Sequence, residues 1–305
     1  MSQKPQTMQS ILGPMRPPFL ILTPACVVLG TGAAFWSTHQ FNLGYFLIVL
    51  IGAVCAHISV NALNEYFDFR SGLDMRTART PFSGGSGTLP AQPSAANSAL
   101  VTGLVTLGIT ALVGVFFLVV RGWWILPLGL LGLVVIYTYT VWLLRNPLAS
   151  LVAPGLGFGI LMVMGTYFAL TGAYSWTAFV ASLTPFFLVS NLLLLNQFPD
   201  VEADTAVHRR HFPILIGRRK SSLIYIGFLA GAYLAIVVGV LLGVLPVWAL
   251  LGLLTLVLAI PAGRTAYQSA DDIPHLIPAM GQNVMINILT PLLEGIGLVI
   301  AGLLR

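Results

Sequence analysis

Long apolar runs separated by short polar connections fill almost the whole chain. Nine of these runs approach or exceed the roughly 20 residues that a helix needs to cross about 30 Å of hydrocarbon. They are Pro17–Trp36, Leu43–Leu63, Ala99–Val120, Trp123–Leu144, Leu148–Leu170, Trp176–Leu195, Ser222–Leu242, Val244–Pro261 and Asn283–Leu304. A backbone surrounded by lipid must satisfy its own hydrogen bonds, so each run is predicted to be a helix. The pattern predicts an all-α membrane protein with nine transmembrane helices.

The composition supports this prediction and excludes a water-soluble globule. The 305 residues are 57% hydrophobic and only 8% charged, whereas soluble domains are about 25% charged. Cys26 and Cys55 both lie in apolar runs, so neither a disulfide framework nor a thiolate metal site is expected. The first run is too long for the apolar core of a signal peptide, so we interpret it as a retained span.

The basic residues fall mainly on one side of the predicted membrane. If the spans alternate in direction, Arg121 and Arg305 lie on one side and the other twelve basic residues on the opposite side. These twelve are Lys4, Arg16, Arg70, Arg76, Arg79, Arg145, Arg209, Arg210, Arg218, Arg219, Lys220 and Arg264. Basic residues favour the cytoplasmic side, so the side with twelve is predicted to face the cytoplasm. The membrane itself is expected to be a bacterial or archaeal cytoplasmic membrane. Because orientation accounts for the net charge of +5, we predict no nucleic-acid partner.

The acidic residues share the basic side, apart from Glu294, which lies inside the last run. They are Glu65, Asp68, Asp74, Asp200, Glu202, Asp204, Asp271 and Asp272. Most follow the second and sixth runs, in the long connections of residues 64–98 and 196–221. The recurrence after four further helices predicts a parallel repeat of four plus four helices with a ninth appended. We interpret residues 1–305 as one transmembrane domain whose two long connections form the active site.

The first acidic cluster lies at the end of the second run. If the helix continues to Asp68, then Asn61, Asn64, Glu65 and Asp68 lie at i, i+3, i+4 and i+7, on one stripe of its surface. Asp74 follows six residues later. A polar stripe on an otherwise apolar helix indicates a functional site.

The second cluster follows the sixth run and repeats the phrase Asn-x-x-x-Asp. Asn196, Asp200 and Asp204 lie at i, i+4 and i+8, so a continuous helix would place them on one face, with Glu202 pointing elsewhere. Like charges one helical turn apart repel by about 3 kcal/mol at an effective dielectric of about 20. The clusters therefore predict a bound cation. With oxygen ligands alone, Mg²⁺, Mn²⁺ or Ca²⁺ is favoured over zinc.

Basic residues follow each acidic cluster, and this arrangement suits a metal-bridged polyphosphate. Carboxylates would hold the cations, while guanidinium and ammonium groups would neutralise the remaining phosphate charge. For any single arginine, membrane orientation is an equally good explanation, and the acids could instead pair with the arginines or be solvated. Asp271 and Asp272 are interpreted as an ordinary polar connection and Glu294 as protonated or paired. None of the five histidines is assigned to a metal.

Both clusters resemble the aspartate-rich motifs of the UbiA superfamily of intramembrane prenyltransferases. The first motif corresponds to residues 64–74, Asn-Glu-Tyr-Phe-Asp-Phe-Arg-Ser-Gly-Leu-Asp, and the second to residues 196–204, Asn-Gln-Phe-Pro-Asp-Val-Glu-Ala-Asp. The resemblance covers nearly the whole chain. It includes Arg16-Pro17-Pro18, Arg79-Thr80-Pro81, Ser83-Gly84-Gly85 and Arg209-Arg210.

This chain departs from the family pattern at a few positions. Glu65 replaces the usual first aspartate of the first motif, and His208 replaces a glycine before the basic pair. The expected tyrosine and lysine after span four are matched only loosely, by Tyr137 or Tyr139 and by Arg145, so no role is assigned there.

The resemblance implies a UbiA-type bundle that transfers an isoprenoid chain from a prenyl diphosphate to an aromatic acceptor in the membrane. It implies Mg²⁺ as cofactor, with catalytic roles for Asp68 and Asp200. The implied Mg²⁺ ligands are Asn64, Glu65, Asp68, Asp74, Asp200 and Asp204, and the implied diphosphate contacts are Arg76, Arg79, Arg209, Arg210 and Lys220. The long connections would cover the site, the tail would lie in an apolar cavity open to lipid, and no obligate protein partner is expected.

The form of the motifs is most similar to 1,4-dihydroxy-2-naphthoate polyprenyltransferases of menaquinone synthesis. Hydroxybenzoate, haem or chlorin, and small aromatic natural products remain alternative acceptors. The isoprenoid length and the residue that removes the ring proton also stay open. A transporter of divalent cations or small molecules would need acids near the middle of the spans, where only Glu294 lies. A lipid-binding scaffold would leave the paired Asn-x-x-x-Asp phrases without a cause.

Overall fold

The computed structural model describes residues 8–305, and within that range the chain is helical and contains no strand. Lys4, which was counted with the basic side, lies outside the described residues. We number the long apolar helices α1 Leu22–Thr38, α2 Leu43–Ser71, α3 Ala96–Arg121, α4 Leu126–Thr138, α5 Pro147–Thr171, α6 Trp176–Asn196, α7 Arg218–Leu241, α8 Val247–Gln268 and α9 Ile273–Leu303. The predicted all-α architecture is confirmed.

The predicted count of nine full spans is not confirmed. By length and composition, seven helices in the described chain can cross a membrane. Helix α1 becomes an eighth only when it is joined to the preceding Met8–Phe19 segment across a 48° bend. The apolar segment that ends with α4, Trp123–Thr138, has 16 residues, which extend only about 24 Å as an α-helix.

Helix α2 continues past the apolar run and carries the first acidic cluster out to its end. It ends at Ser71, where Gly72 adopts a left-handed conformation with φ of 78° and its N–H caps the carbonyls of Asp68 and Phe69. Glycine is favoured at such a helix end because it has no Cβ to clash. The helix therefore continues through Asp68, as the predicted stripe of polar residues requires.

Helix α6 ends at Asn196, so the prediction of one helical face through the second cluster is wrong. Residues 197–200 form a turn, and a separate short helix, Val201–Ala206, follows. Pro199 gives the reason, because its ring would clash with the carbonyl four residues earlier and it has no N–H to donate. Asp200 and Asp204 are therefore positioned by a turn and a new helix.

Small residues let several of the helices approach closely. A Cβ added to Gly32 in α1 would lie 2.4 Å from the carbonyl oxygen of Gly295 in α9. A Cβ added to Gly155 in α5 would lie 2.0 Å from the carbonyl oxygen of Phe186 in α6. Small residues at helix crossings are the usual way in which membrane helices pack. These crossings fix α1 and α5 against the helices of the second half.

The helix packing agrees in part with the predicted repeat. Helix α2 packs along α3, α6 packs along α7, and α9 packs against both α1 and α8. The ends of α2 and α6 approach the same cavity, as described below. The repeat of four plus four helices itself stays a prediction.

We expect Gly32→Ala to destabilise the bundle, because the new methyl group would overlap the Gly295 carbonyl. Overpacking of this kind costs about 1–3 kcal/mol, which should appear as a lower unfolding temperature in detergent. Gly108→Ala is the matched control, since no atom lies within 4 Å of a Cβ added at that glycine of α3. Equal unfolding temperatures for the two variants would contradict the tight α1–α9 crossing.

Candidate active site

A cavity of about 500 Å³ opens at the acidic ends of α2 and α6 and extends into the bundle. Its mouth is polar and includes residues of both acidic clusters. Its body is lined by apolar side chains of α2 to α6, among them Val49, Phe117, Leu133, Met162 and Leu192. The structure thus brings two segments that are more than 130 residues apart in sequence to one opening.

The stripe on α2 divides between the cavity and the protein interior. Asn61, Asn64 and Asp68 line the cavity. The Asn64 side-chain amide donates to Asp68 at 3.0 Å and to the Thr140 hydroxyl at 3.1 Å. Asn64 therefore holds Asp68 in place and links α2 to the segment after α4.

Glu65 is fully buried and lies outside the cavity lining. Its Oε1 accepts hydrogen bonds of 2.7 Å from Arg16 Nε and from the Ser86 backbone N–H, and its Oε2 accepts from the Ser86 hydroxyl at 2.8 Å. The Ser83–Gly87 loop runs directly over this carboxylate, and a Cβ added to Gly85 would lie 3.1 Å from Oε1. Glu65 thus anchors that loop in the structure.

Arg16 is a site residue to which the sequence analysis assigned no role. It adopts a left-handed conformation with φ of 53° at the break between the N-terminal segment and α1. Its guanidinium forms an ion pair with Glu65 at 2.6 Å and donates to Asn64 at 3.2 Å, and it lines the cavity. Strained backbone of this kind clusters at functional sites. The Arg16-Pro17-Pro18 phrase was the signal available in the sequence.

Asp74 lies on the short turn Leu73–Met75 after α2, buried at the cavity mouth. Its Oδ2 has no hydrogen-bond partner among the described residues. Burial, together with the charges of Asp68 and Glu65, raises the pKa of Asp74 to about 7. One oxygen of this buried carboxyl group is therefore left without a partner among the described residues.

Asp200 and Asp204 approach the same mouth from the turn and short helix after α6. The Ser83 hydroxyl donates to Asp200 Oδ1 at 3.4 Å. Burial, together with the charge of Asp204, raises the pKa of Asp200 to about 7. Glu202 points away as predicted, since it is 73% exposed and pairs with Arg218 at 2.7 Å.

Arg209 joins the two clusters directly. One terminal nitrogen of its guanidinium pairs with Asp68 of the first cluster, and the other pairs with Asp204 of the second at 3.0 Å. His211 Nε2 lies 2.9 Å from the second carboxylate oxygen of Asp204. Burial alone would lower the pKa of Arg209, but attraction to Asp68 and Asp204 outweighs it and holds that pKa above its ordinary value.

His208 directs Arg209 into this position. It adopts a left-handed conformation with φ of 61°, and the backbone N–H of Arg209 then bonds to the Asp204 carbonyl at 3.0 Å. This is the position at which the family pattern has glycine. A glycine there needs no strain, whereas histidine in this conformation costs roughly 1 kcal/mol.

The other predicted phosphate contacts lie away from the cavity lining. Arg76, Arg79 and Arg210 are exposed on the connections, and Lys220 is exposed in the first turn of α7. Of the two tyrosines considered, Tyr139 lines the cavity, while Tyr137 is 54% exposed.

The donor atoms at the mouth are of the type that suits Mg²⁺. Within residues 8–305, no group of three or more His, Cys, Asp or Glu side chains is arranged to hold a metal ion by itself. Mg²⁺ commonly uses one or two carboxylates and takes its remaining ligands from water and phosphate. The unpartnered oxygens of Asp74 and Asn196, together with Asp68 and Asp200, are ligands of the type that this ion prefers.

Comparison with known proteins finds similarity to prenyltransferases. A model of the UbiA prenyltransferase family matches residues 23–274. The 1,4-dihydroxy-2-naphthoate octaprenyltransferase of Bacillus subtilis is 28% identical over 293 residues, covering 94% of this chain and 91% of that protein. The 2-carboxy-1,4-naphthoquinone phytyltransferase of Synechocystis is 24% identical, covering 79% of this chain and 76% of that protein.

Two solved structures share the fold. A UbiA homolog from Aeropyrum pernix K1 superposes with a TM-score of 0.71 at 18% identity, covering 93% of this chain and 98% of that one. A UbiA homolog from Archaeoglobus fulgidus bound to GPP and Mg²⁺ superposes with a TM-score of 0.61 at 13% identity, covering 95% and 99%.

We expect Arg209→Met to destabilise the protein, because it leaves Asp68 and Asp204 close together without their shared cation. Removing one partner of a buried ion pair costs roughly 3–5 kcal/mol, to be measured as a lower unfolding temperature in detergent. The neighbouring Arg210→Met is the control, since Arg210 is exposed and forms no ion pair within the described residues. If both variants unfold at the same temperature, Arg209 does not hold the clusters together.

Proposed function

Because the chain belongs to the UbiA prenyltransferase family, we propose that it transfers an isoprenoid chain from a prenyl diphosphate to an aromatic acceptor of the dihydroxynaphthoate type. The resemblance inferred from the two acidic motifs is thereby confirmed at the level of the family. The observation that supports the reaction best is the single cavity with both acidic clusters at its mouth and apolar walls behind them.

The diphosphate would bind at the mouth. Arg16 and Arg209 line it, and their guanidinium groups can bind phosphate oxygens in a bidentate manner. Asp68, Asp74 and Asp200, with Asn64, would hold Mg²⁺, while Asp204 positions Arg209 and His211. When bound, Mg²⁺ would stabilise the charge that develops on the departing diphosphate.

Six further residues were also predicted to bind the metal or the diphosphate: Glu65, Asp204, Arg76, Arg79, Arg210 and Lys220. In the structure Glu65 contacts Arg16 and Ser86, both oxygens of Asp204 contact Arg209 and His211, and the four basic residues are exposed. Direct contact of these residues with the metal or the diphosphate stays a prediction. It would require the connections of residues 64–98 and 196–221 to move over the ligand.

The hydrocarbon chain would lie in the body of the cavity. Along α2 the lining extends from Asp68 down to Val49, which is 19 residues or about 28 Å of helix. An isoprenoid tail is wholly apolar, so burying it there is favourable at roughly 25 cal/mol per Å². The same walls exclude water from the allylic cation that forms when the C–O bond breaks.

The relatives support the acceptor more firmly than the donor. Those quoted above are named for naphthoate or naphthoquinone acceptors, but one is named for an octaprenyl donor and the other for a phytyl donor. We therefore propose a naphthoate-type acceptor, as in menaquinone synthesis. The active site would face the cytoplasm, in accordance with the distribution of basic residues.

The alternative of a transporter finds little support. Apart from Glu294, the carboxylates of the described chain lie near or beyond the ends of helices: Asp271 and Asp272 lie between α8 and α9, and the others belong to the two clusters. The family match also favours an enzyme.

We expect Asp68→Asn and Asp200→Asn each to reduce prenyl transfer by about a hundredfold or more, the scale on which removing a group that stabilises developing charge acts. The assay is purified protein with labelled prenyl diphosphate, Mg²⁺ and 1,4-dihydroxy-2-naphthoate. The control is Glu202→Gln, which removes an acid of the same motif that points away from the cavity and should retain most of the activity.

Unfolding temperatures of Asp200→Asn and Glu202→Gln should stay close to that of the wild type, so that turnover lost in Asp200→Asn reports chemistry. Asp68→Asn should unfold at a lower temperature, because it removes one of the two carboxylates that pair with Arg209, and its activity is therefore measured well below that temperature. Transfer at wild-type rates by both aspartate variants would overturn the proposed site. Loss of activity in Glu202→Gln to the same extent would show that the assay responds to the motif's folding.

A further inference from the structure

His57 is a buried polar side chain in the cavity wall that the proposed diphosphate site does not use. It lies on α2, is 5% exposed and lines the cavity. A polar residue inside a membrane helix is costly unless it has a function. It precedes Asp68 by 11 residues, three helical turns, so it shares the stripe of Asn61, Asn64 and Asp68.

Among residues 8–305, one nitrogen of the His57 ring has a hydrogen-bond partner and the other has none. Nδ1 lies 2.8 Å from the hydroxyl of Thr23, which is itself fully buried in α1. Within the described residues, Nε2 forms no hydrogen bond. It is also not one of the fully buried polar atoms that lack a partner, so it keeps some accessible surface. In a histidine whose one nitrogen is fixed by a hydrogen bond, the other is set up for a ligand.

An aromatic side chain from a second helix fixes the ring orientation. Phe158 of α5 packs against His57 edge to face, with ring centroids 4.6 Å apart at 79°, and it also lines the cavity. Phe158 belongs to a π-helical turn, Leu156–Leu161, within α5. Such turns are rare and frequently mark functional sites. The imidazole is therefore clamped from α1 and α5 and faces a space bordered by aromatic and apolar groups.

The depth of His57 suits the reacting ring and not the phosphates. Eleven residues correspond to about 16 Å along the helix from Asp68, and side chains of α2 lean towards His57 because helix Cβ atoms tilt to the N-terminus. Arg16 contacts Asn64 and Glu65, which lie between Asp68 and His57 along α2. A diphosphate at the level of Asn64 and Arg16 would leave its first carbon, and the acceptor that attacks it, at the level of His57.

We propose that His57 binds a ring hydroxyl of the aromatic acceptor through Nε2, with Thr23 and Phe158 as positioning residues. This inference rests on the proposed function and assigns the acceptor subsite within it. The ligand class is a phenol or hydroquinone, since the subsite offers one hydrogen-bonding nitrogen in apolar surroundings. It adds no covalent step to the transfer reaction.

The test measures steady-state kinetics of His57→Leu and His57→Gln with 1,4-dihydroxy-2-naphthoate and with its two monomethyl ethers. We expect His57→Leu to raise the acceptor KM about five- to tenfold, the effect of one lost hydrogen bond, with the prenyl diphosphate KM unchanged. His57→Gln, which keeps a polar group, should restore part of the acceptor affinity. His275→Leu is the control, because His275 is exposed in the first turn of α9.

The monomethyl ethers separate a direct contact from a structural role. If His57 binds a hydroxyl, methylation of that hydroxyl should weaken wild-type binding and remove most of the difference between the wild type and His57→Leu. An equal loss with every acceptor, or equal changes in both KM values, would overturn the assignment. So would wild-type kinetics in both variants.

Failure of the proposed function has a different signature. In that case the wild-type protein would transfer no prenyl group to the naphthoate, whatever residue occupies position 57. If the wild type is active and His57→Leu has an unchanged acceptor KM, only the assignment of His57 falls. Should His57→Leu fail to fold, His57→Gln with the methyl ethers gives the same decision.

Discussion

The ion pairs of Arg209 with Asp68 and Asp204 are the constraint on which the site depends. Asp68 comes from the end of α2 and Asp204 from the short helix after α6, so one guanidinium joins the two halves of the chain. Four or more acids at one mouth would otherwise repel each other strongly in a setting of low dielectric. Arg209 reduces this repulsion, and a bound cation would reduce it further. The mouth therefore suits Mg²⁺ together with an anionic ligand.

The membrane accounts for the division between a polar mouth and an apolar body. Charged groups are tolerated at the ends of spans, where partners are available, and are costly deeper in the bilayer. The chain therefore places its ionic chemistry at the ends of α2 and α6 and leaves the body of the cavity to side chains such as Phe117 and Leu192. A substrate with a charged head and a hydrocarbon tail matches both environments. His57, held by Thr23 and Phe158, is a polar side chain within the apolar part of the cavity. This position is the reason for assigning it to the binding of the acceptor.

Much of this could be predicted from the sequence, because hydropathy and helical periodicity act locally. The positions of the helices, the stripe on α2 and the outward direction of Glu202 all follow from spacing. The break after α6 was missed because the repeated Asn-x-x-x-Asp phrase was given more weight than Pro199. The pairing of Arg16 with Glu65, and of Arg209 with Asp68, depends on contacts between segments 49 and 141 residues apart, which spacing along the chain does not encode. The left-handed conformation of His208 explains the family glycine at that position only once the backbone is known.

The central claim is that two distant acidic helix ends hold one prenyl diphosphate through Mg²⁺, and equilibrium binding tests it most directly. The measurement is the affinity of the purified protein for a non-reactive prenyl thiodiphosphate, with Mg²⁺ and with excess chelator. The account predicts tight binding that requires Mg²⁺ and weakens to a similar degree when either Asp68 or Asp200 is replaced by asparagine. Binding that is indifferent to the chelator, or that responds to only one of the two aspartates, would contradict it.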